Sequence, residues 1–302
     1  MKLMEPTMYS KKASSPHIAG GIRSIGNILI DVGRLSAESV EAILRLQSER
    51  GLRFGDAAIE LGLLSDDDVH FALANQFDYP YLSAGDNSLS HELVAAYQPF
   101  SPVVEQLRVL RSQLILRWFD AEAQRKALAI VSPGKGEGRS FIAANLAIVF
   151  SQLGERTLLI DADLRAPHQH ELFKLGSHTG LSEWLAGRAG TEAVVRIPSL
   201  RDLSVLQAGA VPPNPQELLG RPAFSEILQA LGHNFDVIII DTPATRDFAD
   251  AQTIAVRSGG ALLLARNDNT SLPDLAALAR NLQQSGATLV GSVLNQGWAR
   301  TK

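Results

Sequence analysis

The sequence predicts an α/β fold with a doubly covered, mostly parallel sheet, preceded by a small all-α domain. Three observations carry this prediction. Apolar runs recur through the later part of the chain, with helical patterns between most of them. A glycine-rich segment stands between the first of these runs and a helical pattern. A gap-free internal repeat of helical character lies near the N-terminus.

Composition excludes several classes of protein. The 302 residues are 45% hydrophobic and 20% charged, as in a soluble globular protein of one large or two modest domains. A net charge of −4 gives no general basic field, so we expect no nucleic-acid partner. The lack of cysteine excludes disulfides, thiol nucleophiles and Cys-ligated zinc. No apolar run approaches the roughly 20 residues that cross a bilayer, so we expect a cytoplasmic protein without a membrane span.

The N-terminal part of the chain divides into a tail and a helical repeat. Residues 1–21 are polar, and we expect a flexible tail there. Within residues 22–82, the segment Ile25–Gln47 aligns without gaps to Phe54–Gln76. Each copy reads as a helix, a glycine turn, a serine N-cap and a second helix. Two such hairpins can bury each other's apolar stripes and form a small domain.

A linker is predicted at residues 83–100, which contain several Pro, Ser and Gly residues, and a second domain at 101–302. That domain opens with an amphipathic helix over Ser101–Trp118. Three charged residues fall on one side of this helix, which predicts either a solvated face or a contact between subunits. They are Glu105, Arg108 and Arg111.

Six strands and four further helices are predicted beyond residue 126. The strands are Ala127–Val131, Thr157–Ile160, Leu203–Leu206, Val237–Ile240, Ala261–Ala265 and Thr288–Leu294. The helices are Phe141–Leu153, Pro215–Leu231, Asp247–Arg257 and Leu272–Gln284. Sheets of this kind bind ligands beyond the carboxyl ends of their strands. The residues that follow these strands are therefore the candidate site.

The first of these strands leads into the glycine-rich segment SPGKGEGRS, Ser132–Ser140. Its glycines let successive backbone N–H groups face inward, and with the positive end of the following helix they form a phosphate pocket. The usual phosphate-loop pattern begins with glycine and ends in Gly-Lys-Ser/Thr. This loop has Pro133 and Arg139 at those places. Taken alone, the segment is also consistent with a tight turn between strand and helix.

Acidic residues follow two other strands. Asp161 and Asp163 leave the strand that begins at Thr157, and Asp241 ends a run of three isoleucines. Each of them alone could be a strand-end cap or a turn residue. A buried carboxylate is costly unless a partner offsets its desolvation, and a magnesium–nucleotide ion does so. We therefore expect Ser140, Asp161 and Asp241 to meet around one Mg²⁺.

Together these segments resemble the bacterial tyrosine kinases of exopolysaccharide and capsule synthesis, which are deviant P-loop NTPases related to the cell-division and partition ATPases. The resemblance runs from about Pro99 to Asn295. Its motifs are the ExxRxxR helix (Glu105, Arg108, Arg111), the loop Ser132–Ser140, the acidic segment Asp161, Asp163 and Arg165, the run LQAGAVPPNPQELL (Leu206–Leu219), Asp241-Thr-Pro and Val293-Leu294-Asn295. With the N-terminal repeat, the chain resembles the chain-length-determinant subtype of exopolysaccharide operons.

The resemblance implies a non-specific protein-tyrosine kinase, which transfers a phosphoryl group from Mg-ATP to a tyrosine hydroxyl. The implied catalytic residues are Asp161, Asp163 and Arg139, and Asp163 or Asp161 would accept the tyrosine proton. The implied metal ligands are Ser140, Asp161 and Asp241. The implied nucleotide-binding residues are Gly134, Lys135, Gly136, Glu137, Gly138, Arg139, Ser140, Phe141 and Asn295.

The resemblance also implies partners. The helix with Glu105, Arg108 and Arg111 would join subunits into a homo-oligomeric ring. The cytoplasmic tail of a polysaccharide co-polymerase membrane protein would recruit the chain to the inner membrane face. The repeat resembles the N-terminal domain of type II secretion and pilus-assembly ATPases, some of which bind cyclic di-GMP through an Arg ahead of the first Gly of each copy. Arg53 stands there in the second copy and Ser24 in the first, so docking of a partner protein is the alternative use.

Two departures from the family pattern keep alternatives open. Arg139 replaces the loop lysine, and the planar guanidinium fork is not equivalent to an ammonium group. The family's C-terminal tyrosine cluster is missing, so we expect the acceptor to be another protein or Tyr9; the chain's tyrosines are Tyr9, Tyr79, Tyr81 and Tyr97. The first hypothesis is a kinase that regulates exopolysaccharide polymerisation, chain length and export. The alternatives are a catalytically weak ATP-binding scaffold and a partition- or cell-division-type ATPase.

Overall fold

The structure is a computed structural model that describes residues 24–76, 80–83, 85–119, 123, 125–176 and 179–297. The chain divides into two compact units, Met1–Asp78 and Tyr79–Lys302. The expected tail, residues 1–21, and Tyr79 lie outside the described residues. Within the described part of the chain, no helix combines the length and apolar character needed to cross a bilayer.

The smaller unit consists of two helical hairpins, one for each copy of the repeat. Its helices are α1 (Ile25–Asp31), α2 (Ala37–Arg50), α3 (Phe54–Glu60) and α4 (Asp66–Gln76). Helix α1 packs against α4 and α2 against α3, so the copies bury each other's apolar faces around Leu29 and Ile43. Ser36 caps α2, where its hydroxyl accepts a hydrogen bond of 3.1 Å from the N–H of Ser39. The predicted order of helix, glycine turn, serine cap and helix is confirmed here.

The larger unit is a seven-stranded sheet with helices on both faces. Its strands are β1 (Ala127–Val131), β2 (Thr157–Asp161), β3 (Val194–Arg196), β4 (Leu203–Leu206), β5 (Val237–Asp241), β6 (Gly260–Arg266) and β7 (Thr288–Asn295). The spatial order is β3-β4-β2-β5-β1-β6-β7; among these described strands the β3–β4 pair is antiparallel and the other pairs are parallel. The predicted α/β class with a mostly parallel sheet is therefore confirmed.

Apolar layers cover both faces of this sheet. Its helices are α5 (Val94–Tyr97), α6 (Pro102–Arg117), α7 (Arg139–Ser151), α8 (Gln169–Leu172), α9 (Leu181–Leu185), α10 (Pro215–Gly220), α11 (Pro222–Gly232), α12 (Asp250–Ser258) and α13 (Leu272–Gln284). Along β1, Leu128 and Ile130 enter one layer, and Ala129 and Val131 enter the other. Because both faces are buried, the strands read as continuous apolar runs rather than as alternating patterns.

An unpredicted strand and a divided helix are among the differences from the sequence prediction. Strand β3 has only three residues at the sheet edge, too few to register as an apolar run. The helix predicted over Pro215–Leu231 is broken at Arg221, which has an extended backbone (φ −69°, ψ 152°). The ring of Pro222 disfavours a helical conformation at the preceding residue, so the chain forms two helices instead of one.

The segment 83–100, for which the composition predicts a linker, packs into the larger unit. Leu89 and Leu93 are buried in its core. Asn145 of α7 accepts a hydrogen bond of 2.9 Å from the N–H of Ala95 and donates one of 3.1 Å to the carbonyl of Glu92. The segment thus alternates turns with residues that are buried in the core of the larger unit, and it is part of that unit.

Candidate functional site

The candidate site lies at the carboxyl edge of the three central strands. Strand β5 runs between β1 and β2, and Asp161 at the end of β2 is the register partner of Asp241 at the end of β5. The glycine-rich loop follows the end of β1. Neighbouring strands lie about 4.8 Å apart, so the sheet itself brings the loop and the two carboxylates together. This agrees with the prediction that the residues at the carboxyl ends of these strands form the site.

The two carboxylates are fully buried, and burial changes their acidity. Burial raises the pKa of Asp161 well above its usual range, and the negative charge of Asp241 raises it further. Burial also raises the pKa of Asp241, while the Ser140 hydroxyl, the Gln169 amide and the Arg139 guanidinium act in the opposite direction. A buried acidic pair of this kind is typical of a site that takes up a cation.

Asp161 organises the turn that follows β2. Its carboxylate accepts hydrogen bonds from the N–H groups of Asp163 (3.2 Å), His168 (3.0 Å) and Gln169 (2.9 Å). Most of the acceptor capacity of Asp161 is therefore used within the chain. This arrangement favours a metal contact through water over direct coordination.

Asp241 has one paired and one unpaired oxygen. Its Oδ2 accepts a hydrogen bond of 2.7 Å from Nε2 of Gln169, which also donates to the carbonyl of Ser140 at 3.2 Å. Oδ1 of Asp241 and Oε1 of Gln169 are buried without a hydrogen-bond partner in the described part of the chain. Two buried acceptors without donors fit a hydrated cation, so the residues present fit Mg²⁺.

The donor set is also that of a magnesium site rather than of a protein-only metal centre. Among the described residues, no group of three or more His, Cys, Asp and Glu side chains could hold a metal ion. Mg²⁺ is usually bound through one or two carboxylates together with substrate phosphates and water. Two carboxylates beside a phosphate loop match that pattern.

Arg139 is directed into the chain. Its Nε donates to the carbonyl of Thr242 at 2.7 Å, and its Nη1 donates to the carbonyl of Gly134 at 2.5 Å and to the hydroxyl of Ser132. The side chain thus ties the start of the loop to the residue after β5. A role in nucleotide binding instead predicts that Arg139 faces the phosphates. Burial lowers the pKa of Arg139, and the nearby Asp241 carboxylate opposes that shift.

Glu137 closes the glycine-rich loop from within. Its buried carboxylate accepts hydrogen bonds from the N–H of Gly134 at 2.9 Å and from the hydroxyl of Thr270 at 2.6 Å. The first glycine N–H of the loop is therefore already paired. Thr270, which follows β6, is a contributor to the loop that no sequence motif marks.

Asn295, at the end of β7, rests on the loop. Its amide donates to the carbonyl of Glu137 at 2.9 Å. Gly138 has φ +101°, and a Cβ atom there would collide with the Asn295 amide, so the loop requires glycine at this position. A cleft of about 200 Å³ opens beside the loop; its lining includes Glu92, Val103, Phe141, Arg266 and Asn295. Phe141 and Asn295, both predicted to bind the nucleotide, thus line one cleft next to the loop.

Asp163 retains a free carboxylate oxygen. Its Oδ1 accepts hydrogen bonds from the N–H groups of Arg165 (3.2 Å) and Ala166 (2.9 Å), and its Oδ2 has no partner among the described residues. Arg165 is itself fixed, because it pairs with the buried Asp250 (2.6 Å) and lies 3.7 Å from the centre of the Phe248 ring. The segment that follows β2 is thereby anchored to the start of α12.

Lys135 lies on the outside of the loop. Its side chain is 77% exposed, and its Nζ is 3.9 Å from a carboxylate oxygen of Asp247. The Lys135 side chain, which is predicted to bind the nucleotide, is thus paired on the outer side of the loop.

The charged residues of α6 divide into two groups. Glu105 and Arg108 form an ion pair of 3.0 Å on the helix surface. Arg111 instead turns inward and donates to the carbonyl of Val149, in the last turn of α7, at 2.6 Å. The predicted subunit contact therefore contains one residue that also holds its own chain together.

The chain has curated relatives, although no family model matches it. Tyrosine-protein kinase YwqD of Bacillus subtilis is 34% identical over 207 residues, 68% of this chain and 86% of that protein. Tyrosine-protein kinase etk of Escherichia coli is 32% identical over 202 residues, 67% of this chain but only 28% of that longer protein. The crystal structure of the chimerical protein CapA2B2 matches with a TM-score of 0.64 at 32% identity, over 74% of this chain and 97% of that structure. The chain belongs to the bacterial tyrosine-protein kinases.

Proposed function

We propose that this chain transfers the γ-phosphoryl group of Mg-ATP to the hydroxyl of a protein tyrosine. The observation that carries the proposal is the pair of buried carboxylates, Asp161 and Asp241, at matching register beside a glycine-rich loop. The tyrosine oxygen forms a bond to the γ-phosphorus, and the bond from that phosphorus to the β,γ-bridging oxygen breaks. ADP leaves with the electron pair, and the phenolic proton passes to a carboxylate.

The roles of the site residues follow from their free atoms. The backbone N–H groups at the end of the loop and the positive end of α7 would hold the phosphates. Bound Mg²⁺ would neutralise charge on the phosphates. Ser140 would hold the ion, together with Asp241 and Asp161 through water. Asp163 is the better proton acceptor, because its Oδ2 has no partner in the described chain whereas both oxygens of Asp161 accept N–H groups.

We place this activity in the regulation of exopolysaccharide polymerisation, chain length and export. The proposed partner is the cytoplasmic tail of a membrane co-polymerase, which would bring the chain to the inner membrane face. A homo-oligomeric ring would use the outer face of α6. Support comes from Val109 and Leu116, which are 57% and 79% exposed and share that face with Glu105 at helical spacing.

For the helical unit we propose docking of a partner protein. The relatives give no support for cyclic di-GMP, so the proposed small molecules are ATP and Mg²⁺ alone. Arg53 is exposed at the start of α3, whereas the matching position at the start of α1 is Ser24, which caps that helix. The two copies thus lack a matched pair of arginines.

A catalytically weak scaffold is the second candidate, and Arg139 is the observation that favours it. The Arg139 guanidinium already donates to Ser132, Gly134 and Thr242, and contact with phosphates would compete with these bonds. The partition-type alternative is set aside, because the chain belongs to the tyrosine kinases.

Phosphotyrosine formation on a random Glu–Tyr copolymer, with Mg-ATP labelled at the γ-phosphate, tests the proposal. Wild-type protein should label tyrosine, and Asp163→Asn should slow labelling about 100-fold or more, the scale of lost general-base catalysis, without loss of nucleotide affinity. Asp202→Asn, just before β4 at the opposite edge of the sheet, is the matched control. Mg-ATP-dependent assembly without any phosphotyrosine would contradict the kinase proposal and favour the scaffold.

A further inference from the structure

We propose that Gln169 is a positioning residue for the metal: it fixes Asp241 and presents an acceptor to a water molecule of the Mg²⁺ shell. The inference rests on the proposed Mg-ATP site and adds a residue that belongs to none of the motifs singled out in the sequence. Gln169 is the first residue of α8 and is fully buried.

Gln169 connects the two acidic strand ends. Its backbone N–H donates to Asp161 at 2.9 Å, and its side-chain Nε2 donates to Asp241 at 2.7 Å and to the carbonyl of Ser140 at 3.2 Å. One residue therefore contacts all three of the predicted metal ligands. A change at this position would alter their relative placement without removing any of them.

The orientation of the Gln169 amide follows from these partners. The NH₂ group faces two oxygen atoms, and an inverted amide would place its oxygen against both of them. Oε1 must therefore point to the remaining side, where it is buried with no donor in the described chain, as is Oδ1 of Asp241. Buried acceptors are rarely left unpaired unless an ion or water belongs there.

A hydrated Mg²⁺ ion would supply donors for these two buried acceptors. Mg²⁺ gives up its waters reluctantly and keeps several of them in protein sites. Each metal-bound water would donate hydrogen bonds, and Oε1 of Gln169 and Oδ1 of Asp241 are two buried acceptors that could receive them. Loss of a partner that orients a metal ligand typically lowers metal affinity about 10–100-fold. Replacement of Gln169 should therefore reduce the gain in nucleotide affinity that Mg²⁺ gives.

The first test is calorimetric titration of the full chain with a non-hydrolysable ATP analogue over a range of free Mg²⁺. Gln169→Leu should reduce the Mg²⁺-dependent gain in affinity about 10-fold or more and leave the affinity in EDTA unchanged. The matched control is Gln152→Leu, at the residue that directly follows the last residue of α7. Like that of Gln169, its amide donates to two oxygen atoms, here the carbonyls of Pro80 (3.0 Å) and Ala95 (2.9 Å). The control should therefore lose stability but keep the Mg²⁺ dependence.

Gln169→Glu gives a second readout that needs neither nucleotide nor activity. The substitution sets a carboxylate oxygen against Oδ2 of Asp241, so the melting temperature in EDTA should fall, and Mg²⁺ alone should raise it more than in wild type. Suppose that wild type binds Mg-ATP. The inference would then be overturned if Gln169→Leu kept the full Mg²⁺-dependent gain in affinity, or if Mg²⁺ left the melting temperature of Gln169→Glu unchanged. Wild type without Mg²⁺-dependent binding would instead refute the proposed function, and this inference with it.

Discussion

Asp241 is fully buried at the end of β5, and its Oδ1 has no hydrogen-bond partner in the described chain. Burial raises its pKa, and the same holds for Asp161. A folded-state pKa above the unfolded value means that the folded protein binds the proton more tightly. The stability from such a group is present at low pH and is lost as the pH rises through the raised pKa.

Asp241→Asn should therefore stabilise the metal-free protein at neutral pH. The expected gain is about 0.5–2 kcal/mol, the size typical of a stabilising change at a functional site. It should shrink as the pH is lowered toward the ordinary carboxyl pKa of 3.8. Urea unfolding in EDTA at mildly acidic and neutral pH measures both effects, with the half-buried Asp202→Asn, just before β4, as the control. An asparagine variant less stable than wild type at neutral pH would contradict this account of the buried charge.

The acidic residues and the loop could be predicted from sequence, whereas Gln169 and the direction of Arg139 could not. Asp161 and Asp241 each end an apolar strand, and parallel strands deliver their ends to one edge. The contact of Gln169 with Asp241 joins positions 72 residues apart, and no residue pattern near either one signals it. The guanidinium of Arg139 donates to carbonyls of the loop and of the residue after β5. These carbonyls come together only when the chain folds, so the sequence does not show where the guanidinium points.

Among the elements, α6 both supports its own chain and presents an outer face. Arg111 donates to the carbonyl of Val149 in the last turn of α7, where a cation also complements the helix dipole. Glu105 pairs with Arg108 at the surface, with a side chain 64% exposed. The two ends of one motif therefore face different environments, and their substitutions should have different effects.

Arg111→Ala should destabilise the larger unit by about 1–3 kcal/mol, the scale of a lost charged hydrogen bond at a part-buried site. Glu105→Ala should change stability by less than about 0.5 kcal/mol but weaken assembly of the chain. Thermal melting together with sedimentation of the same samples separates the effects. If Glu105→Ala melted early with unchanged sedimentation, the outer face of α6 would not be an assembly surface.

Six of the seven strands of the sheet were predictable to within a few residues because their apolar patterns are continuous. The four-residue helix α5 and the turns around it were not, because Pro, Ser and Gly residues dominate the local composition. Their burial depends on α7, whose Asn145 binds the backbone of Glu92 and Ala95 from 50 or more residues away. Composition alone cannot distinguish a solvated linker from a chain segment that covers a distant helix.

The whole molecule consists of two units with separate cores. The segment before α6 belongs to the larger unit, so that unit begins before α6. Leu82, Leu89 and Leu93 are 6%, 4% and 0% exposed within the core of the larger unit. Each buried leucine contributes about 1.5–3 kcal/mol. Three of them together approach the total stability of an ordinary domain, about 5–15 kcal/mol.

A chain shortened to residues 79–302 should fold cooperatively and retain Mg²⁺-dependent nucleotide binding, whereas one shortened to 101–302 should not. The shorter chain lacks the three leucines and leaves the side chain of Asn145, 0% exposed in the intact fold, without its partners at Glu92 and Ala95. Circular dichroism melting and titration with the ATP analogue, run on both chains beside the full protein, measure the difference. Equal melting curves for the two shortened chains would mean that residues 79–100 add nothing to the larger unit, and its boundary would then lie at α6.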